Sequence, residues 1–304
     1  MQEKKGLWLV LTTAIISGMS IFMNKWGVQG IDSSVFTGAK NLVVAILLFS
    51  LIILAKDLKK LKELTKKDWL KLSLIGLLGG SIPFILFFKG LQLTSAAQGS
   101  FIHKSMFIWA GLLALIFLKE KISKGIIIGA VLLLSGNFLL LKMGGFSLGA
   151  GDWLILAATL LWSVETIISK KALESLDSKI VAWGRMFFGS LIILLFLTAT
   201  NKLSLMATLT ISQLVWIGIT SVFLLGYVFT WYSGLKELKA SVATSILLLG
   251  SVITATLDFA FSSAAIDIPK IIGIILLILG VLSVVGFTET LRKNHLSFSI
   301  AKAK

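Results

Sequence analysis

The chain has 304 residues, 57% of them hydrophobic and only 14% charged, with a mean hydropathy of +0.97; soluble domains run to roughly 45–50% apolar and about 25% charged, so a soluble or disordered chain is excluded. It has no cysteine, which excludes disulfides, thiolate nucleophiles and Cys-ligated metals, and its two histidines, His103 and His295, are too few for a histidine metal site. The net charge of +15 lies in short loops between apolar runs rather than on a basic folded surface, which argues for membrane topology and against nucleic acid.

A hydrocarbon core of ~30 Å takes about 20 apolar residues per helix. Ten such runs follow one another, at 7–28, 34–55, 69–90, 95–118, 122–142, 152–172, 179–199, 211–235, 240–261 and 268–288. The first follows Lys4 and Lys5 as a signal peptide would, but it is too long for one and recurs inside the chain. Span 1 carries Thr13, Ser17, Ser20 and Asn24 on one helical face, readable as a solute path or as polar glue between helices. Span 2 holds Lys40, and span 3 has Ser73, Gly76, Gly80 and Pro83 at a spacing that permits close approach or a kink. Span 4 brings His103 and Lys104. At 1.5 Å per residue, Lys104 lies ~14 Å from the helix end, near the bilayer centre and least able to snorkel out. Span 5 contributes Gly125 and Gly129, which read as packing.

Span 6 places Trp162, Glu165 and Ser169 on the face that matches the polar stripe of span 1. Span 7 carries Arg185, and span 8 brings Tyr227, Trp231 and Tyr232, able to stack on a ligand or mark the membrane interface. Span 9 has Ser241, Ser245, Leu248 and Ser251 on one face and Asp258 near its end. A charge at the bilayer centre costs at least ~2.5–3.5 kcal/mol, so intramembrane ionisable groups are read first as functional. Lys104 reads as a cation for a substrate carboxylate, as a titrating group in ion coupling, or as a structural partner of Glu165. Glu165 could neutralise Lys104 or Arg185, or carry a proton. Lys40, Arg185 and Asp258 read as charge partners, and His103 as a site residue or a hydrogen-bonded core histidine.

The spans repeat. At an offset of 145, Gly6, Trp8, Leu9, Leu11 and Lys25 meet Gly151, Trp153, Leu154, Leu156 and Lys170, Asp32-Ser33 meets Asp177-Ser178, and Lys40 meets Arg185. The offset slips to 144 where Gly90-Leu91 meets Gly234-Leu235, and Gly129 and Gly136 keep the spacing of Gly273 and Gly280. The expected fold is an all-α integral membrane protein of ten transmembrane helices in two five-helix repeats, 1–147 and 148–304, the second ending in a short basic tail. Five is odd, so the second repeat is inverted, as is common among secondary transporters. Of the 29 lysines and arginines, 21 fall on one side, five on the other and three inside spans, which puts both termini in the cytoplasm. There is no Walker motif to couple ATP, no H-E-x-x-H and no nucleophile elbow, so no catalytic residue, cofactor or metal is expected.

Several features together resemble the drug/metabolite transporter superfamily, in its EamA branch. They are the Gly-x6-Gly helix closing each half, Phe117-Leu118-Lys119-Glu120-Lys121-Ile122-Ser123 ahead of Gly129, Gly151-Asp152-Trp153, and the basic residue in spans 2 and 7. The likeness covers nearly the whole chain. It departs at Glu120, whose counterpart is Ala264, and at Lys40, where the family usually has arginine. The resemblance implies alternating access about a cavity lined mainly by spans 1, 3, 4, 6, 8 and 9, and small-metabolite or amino-acid substrates, often exported. The expected protein is a secondary transporter in the cytoplasmic membrane, with a small-molecule substrate and the lipid bilayer as partners. A coupling proton or counter-substrate would complete the set. The reading from another class is an integral-membrane enzyme or lipid-processing protein built on Lys104, Glu165 and His103.

Overall fold

Lipid gives backbone N–H and C=O groups no partner, so an apolar chain of this kind must satisfy them within helices. The computed structural model describes residues 2–121, 124–140, 148–262, 268–269 and 271–284, and all regular structure among them is helical. The junction at 141–147, Ala264 and the basic tail lie outside the described residues.

The helices are α1 (Gln2–Gly27), α2 (Ser33–Leu54), α3 (Lys66–Leu93), α4 (Ala96–Phe117) and α5 (Lys124–Leu140). They continue as α6 (Ala150–Ala172), α7 (Ser178–Ala199), α8 (Ile211–Glu237), α9 (Ala240–Ile246 with Leu249–Ser262) and α10 (Ile271–Val284). Among the described residues, eight helices, α1–α4 and α6–α9, are long and apolar enough to cross a membrane, and α5 and α10 carry shorter apolar stretches. Large apolar side chains such as Ile46, Leu195 and Val222 point outward, while Thr13, Asn41, Thr159 and Ser163 are buried. This is the polarity that a lipid solvent demands.

Local chemistry sets the helix starts. Asp32 accepts the Ser34 and Val35 amides ahead of α2, and Asp177 accepts the Lys179 amide ahead of α7. At their far ends, Lys25 of α1 donates to the Leu91 and Thr94 carbonyls that close α3, at 2.9 and 2.5 Å. Lys170 of α6 does the same for Leu235 and Lys236 at the end of α8, at 2.7 and 3.0 Å. These carbonyls would otherwise lack partners.

Packing follows the same pairing, with α1 along α8 and α9, α6 along α3, and α7 along α2 and the middle of α3. The α3–α6 crossing needs glycine, because a Cβ on Gly90 would stand 2.6 Å from the Gly151 carbonyl oxygen. The Gly-x6-Gly helices α5 and α10 find each other: a Cβ on Gly129 would lie 2.8 Å from the Gly280 oxygen, and one on Gly136 2.7 Å from the Gly273 oxygen.

Three helices are irregular in mid-span. α3 widens into a π-helical turn over Gly76–Ser81, just ahead of Pro83. α4 breaks at Ser105 and α9 at Leu247-Leu248.

Candidate functional site

A cavity of about 60 Å³ lies among α1, α2, α3, α4, α6, α7 and α8. Ser17, Ser20 and Asn24 of the α1 polar stripe line it, whereas Thr13 of the same stripe bonds to Thr230 of α8. Lys40 and Arg185 enter from α2 and α7, and α9 contributes no lining residue. Among the described residues the lining thus takes in α1, α3, α4, α6 and α8 of the expected set and adds α2 and α7, while α9 packs along α1.

Each cation has its own surroundings. Lys40 donates to Asn24 Oδ1 at 2.9 Å, and its Nζ stands 3.7 Å from the centre of the Phe88 ring. Asn24 is itself oriented by donating to Ser20 Oγ at 2.9 Å. Arg185 donates to the Gly79 carbonyl at 3.0 Å and to the Tyr232 hydroxyl at 3.1 Å. The Gly79 oxygen also accepts Trp162 Nε1 at 2.9 Å, so the π turn of α3 anchors α6 and α7 at once.

Glu165 completes this cluster. Its Oε1 accepts from the Tyr232 hydroxyl at 2.6 Å and from Ser169 Oγ, and its Oε2 lies 3.9 Å from Arg185 Nη1. Of its two candidate partners, the structure gives it Arg185 and not Lys104. Lys104 donates instead to Ser17 Oγ at 2.6 Å, behind the cavity wall and against Gly250 of α9. His103 lines the cavity with its ring between Phe87 and Trp162, 5.5 and 5.0 Å from their centres. Its Nδ1 and the Arg185 Nε are buried without a partner among the described residues. Among the described residues, no hydrogen bond or ion pair links Lys104, Glu165 and His103 to one another.

The remaining predicted residues divide. Trp162 and Tyr227 line the cavity, whereas Trp231 is buried beside Tyr227, stacked at 6.3 Å, and Ser169 serves Glu165. Asp258 is half-buried near the end of α9. Phe84, Phe87 and Phe88 form the aromatic wall and were not singled out from the sequence. Their i, i+3, i+4 spacing after Pro83 was the available signal.

Gly79 has no room for a side chain, because a Cβ there would sit 2.6 Å from Glu165 Cγ. Gly79→Ala should cost ~1–3 kcal/mol by overpacking, read as a lowered unfolding temperature in detergent. An unchanged temperature would mean that α3 and α6 are not in this contact.

Two ion pairs bracket the cavity at opposite ends of the helices. On the face away from the N-terminus, Asp32 ahead of α2 pairs with Lys202 of the α7–α8 connection at 2.7 Å. On the N-terminal face, Asp177 ahead of α7 pairs with Lys60 of the α2–α3 connection, also at 2.7 Å. Asp57 joins the second cluster through Lys60 and Lys179. Burial works to raise the Asp32 and Asp177 carboxyls, but the lysines and capping amides outweigh it and hold both below the usual range. Both carboxyls are therefore ionised at neutral pH.

The EamA-like transporter family matches this chain twice, over residues 4–142 and 149–286. An uncharacterized transporter of Clostridium kluyveri is 26% identical, over 96% of each chain. The riboflavin transporter ImpX of Fusobacterium nucleatum subsp. nucleatum is 24% identical, over 80% of this chain and 85% of its own. A solved crystal structure shares the fold with a TM-score of 0.74 at 17% identity, covering 93% of this chain and 97% of the other. Apolar helices in membrane-spanning number, a polar cavity among them and a family match over both stretches lead to one conclusion. The chain is a multi-span membrane protein belonging to the EamA-like family of drug/metabolite transporters.

Proposed function

We propose that the chain is a secondary transporter that moves a small polar or amphipathic metabolite across the cytoplasmic membrane, in the direction of export, by alternating access. Ten helices in two inverted halves, 1–147 and 148–304, rock about the central cavity.

The observation that carries this reading is the reciprocity of the two bracketing pairs. Asp32 and Asp177 are counterparts at the offset of 145, and each reaches a lysine in the second connection of the other half. One pair closes each end of the cavity. Exposed or half-exposed ion pairs contribute only ~0.2–1 kcal/mol, which suits contacts that must break in every cycle. The matched Lys25 and Lys170 caps, the corresponding breaks in α4 and α9 and the doubled family match support the same reading.

Two measurements test it. Purified protein in proteoliposomes should carry out substrate-dependent counterflow without ATP; absence of flux across amino acids, nucleobases and organic acids would count against a transporter. Reporters fused after residue 64 and at the C-terminus should read cytoplasmic, and one near residue 146 outside. The same side for 64 and 146 would overturn the inverted five-helix arrangement.

A further inference from the structure

Among the described residues, the basic groups lining the cavity outnumber the carboxylate beside it. The negative charge of Glu165 is already engaged by Arg185, with Tyr232 bridging them. Among the described residues, no carboxylate lies within ion-pair distance of Lys40, whose oxygen partner is the neutral amide of Asn24. Such a cation inside the bilayer is costly unless something compensates it.

Two further buried nitrogens at the cavity are unused: Arg185 Nε and His103 Nδ1. Lys40 and Arg185 flank one ring, with Lys40 Nζ 5.9 Å and Arg185 Cζ 5.4 Å from the centre of Phe84. Opposite these donors the wall is aromatic, with Phe84 and Phe87 each 5.3 Å from Trp162. Sites for small organic ligands commonly combine an apolar wall with a few fixed polar groups.

We infer that the transported solute is an organic monoanion, a carboxylate carried on a flat, mostly apolar body. The carboxylate lies toward Lys40 and the unpartnered nitrogens of Arg185 and His103, the latter in the tautomer that puts its proton on Nδ1, and the body lies against Phe84, Phe87 and Trp162. This rests on the transport reading for its role in the cell, but the anion site itself can be tested by binding.

The probes share one skeleton and differ in charge: phenylacetate, 2-phenylethanol and phenethylamine, with acetate as the anion lacking a ring. Binding to the purified protein is read by titration calorimetry and thermal shift, and flux in proteoliposomes. Phenylacetate should bind about tenfold or more tightly than 2-phenylethanol and acetate, and phenethylamine should not bind. Lys40→Gln should remove the preference for the acid over the alcohol while the unfolding temperature holds or rises, and Lys40→Arg should restore it. Equal binding of acid and alcohol, tighter binding of the amine, or no binding of phenylacetate would each overturn the proposal, and the native protein alone decides among these. Flux of other solutes without phenylacetate binding would sink the anion site and leave the transporter standing. Phenylacetate binding with no flux of any solute would sink the transporter and leave the anion site.

Discussion

Arg185→Met should lower stability by ~3–5 kcal/mol, because it strands a buried carboxylate. Glu165 is 1% exposed, and Arg185 is the cation within ion-pair reach of it. The Gly79 carbonyl and the Tyr232 hydroxyl each lose a donor in the same step. The drop should appear in both the unfolding temperature and the denaturant midpoint. Adding Glu165→Gln should recover most of the stability, since the amide brings no charge and its oxygen still accepts from Tyr232, but flux should stay absent. Lys104→Met is the contrast. Its oxygen partner is the Ser17 hydroxyl, so its removal leaves no charge unpaired and stability should be unchanged or higher. A native-like Arg185→Met protein would show that the cluster does not tie α6, α7 and α8 together.

Chemical bridging of either ion pair should abolish transport. The chain has no cysteine, so the pairs Asp32→Cys with Lys202→Cys and Asp177→Cys with Lys60→Cys can be introduced without background. A lysine reaching an aspartate sets the two backbones too far apart for a direct disulfide, so a short bifunctional thiol reagent with a reducible link is needed. Each bridge should cut flux to background, and reduction should restore it. The two bridges should also trap opposite states. Bridging Asp32 to Lys202 should leave the cavity reachable only from the N-terminal face, and bridging Asp177 to Lys60 only from the other. A single cysteine at cavity-lining Asn24 reports which, with one at outward-facing Ile15 as the lipid-side control. Full flux with both bridges in place would rule out alternating access about these contacts.

The linear chain determined the membrane-spanning, all-helical character. Apolar runs of bilayer length leave the backbone no other solution. It also singled out candidate residues, because a lysine, arginine or glutamate inside a span needs a reason wherever it lies. Gly129 was readable as a packing glycine, but that it and Gly136 meet Gly280 and Gly273 came from the structure.

Only the tertiary structure decided who meets whom. Periodicity fixes the face of one helix but not the rotation of its neighbour, so Lys104 and Arg185 were equal candidates for Glu165 until α7 was seen beside the π turn of α3. That turn is itself a tertiary product. Gly76, Gly79 and Gly80 permit it, and Arg185 and Trp162, donating to one carbonyl from two other helices, hold it. The cations of α2 and α7 entered the cavity wall for the same reason: depth along a helix follows from residue number, whereas facing the interior follows from packing against the other half. The reciprocal pairs at the two ends lay furthest from view. Asp32 and Lys202 are 170 positions apart, and no local pattern brings an N-cap to a loop lysine across that distance.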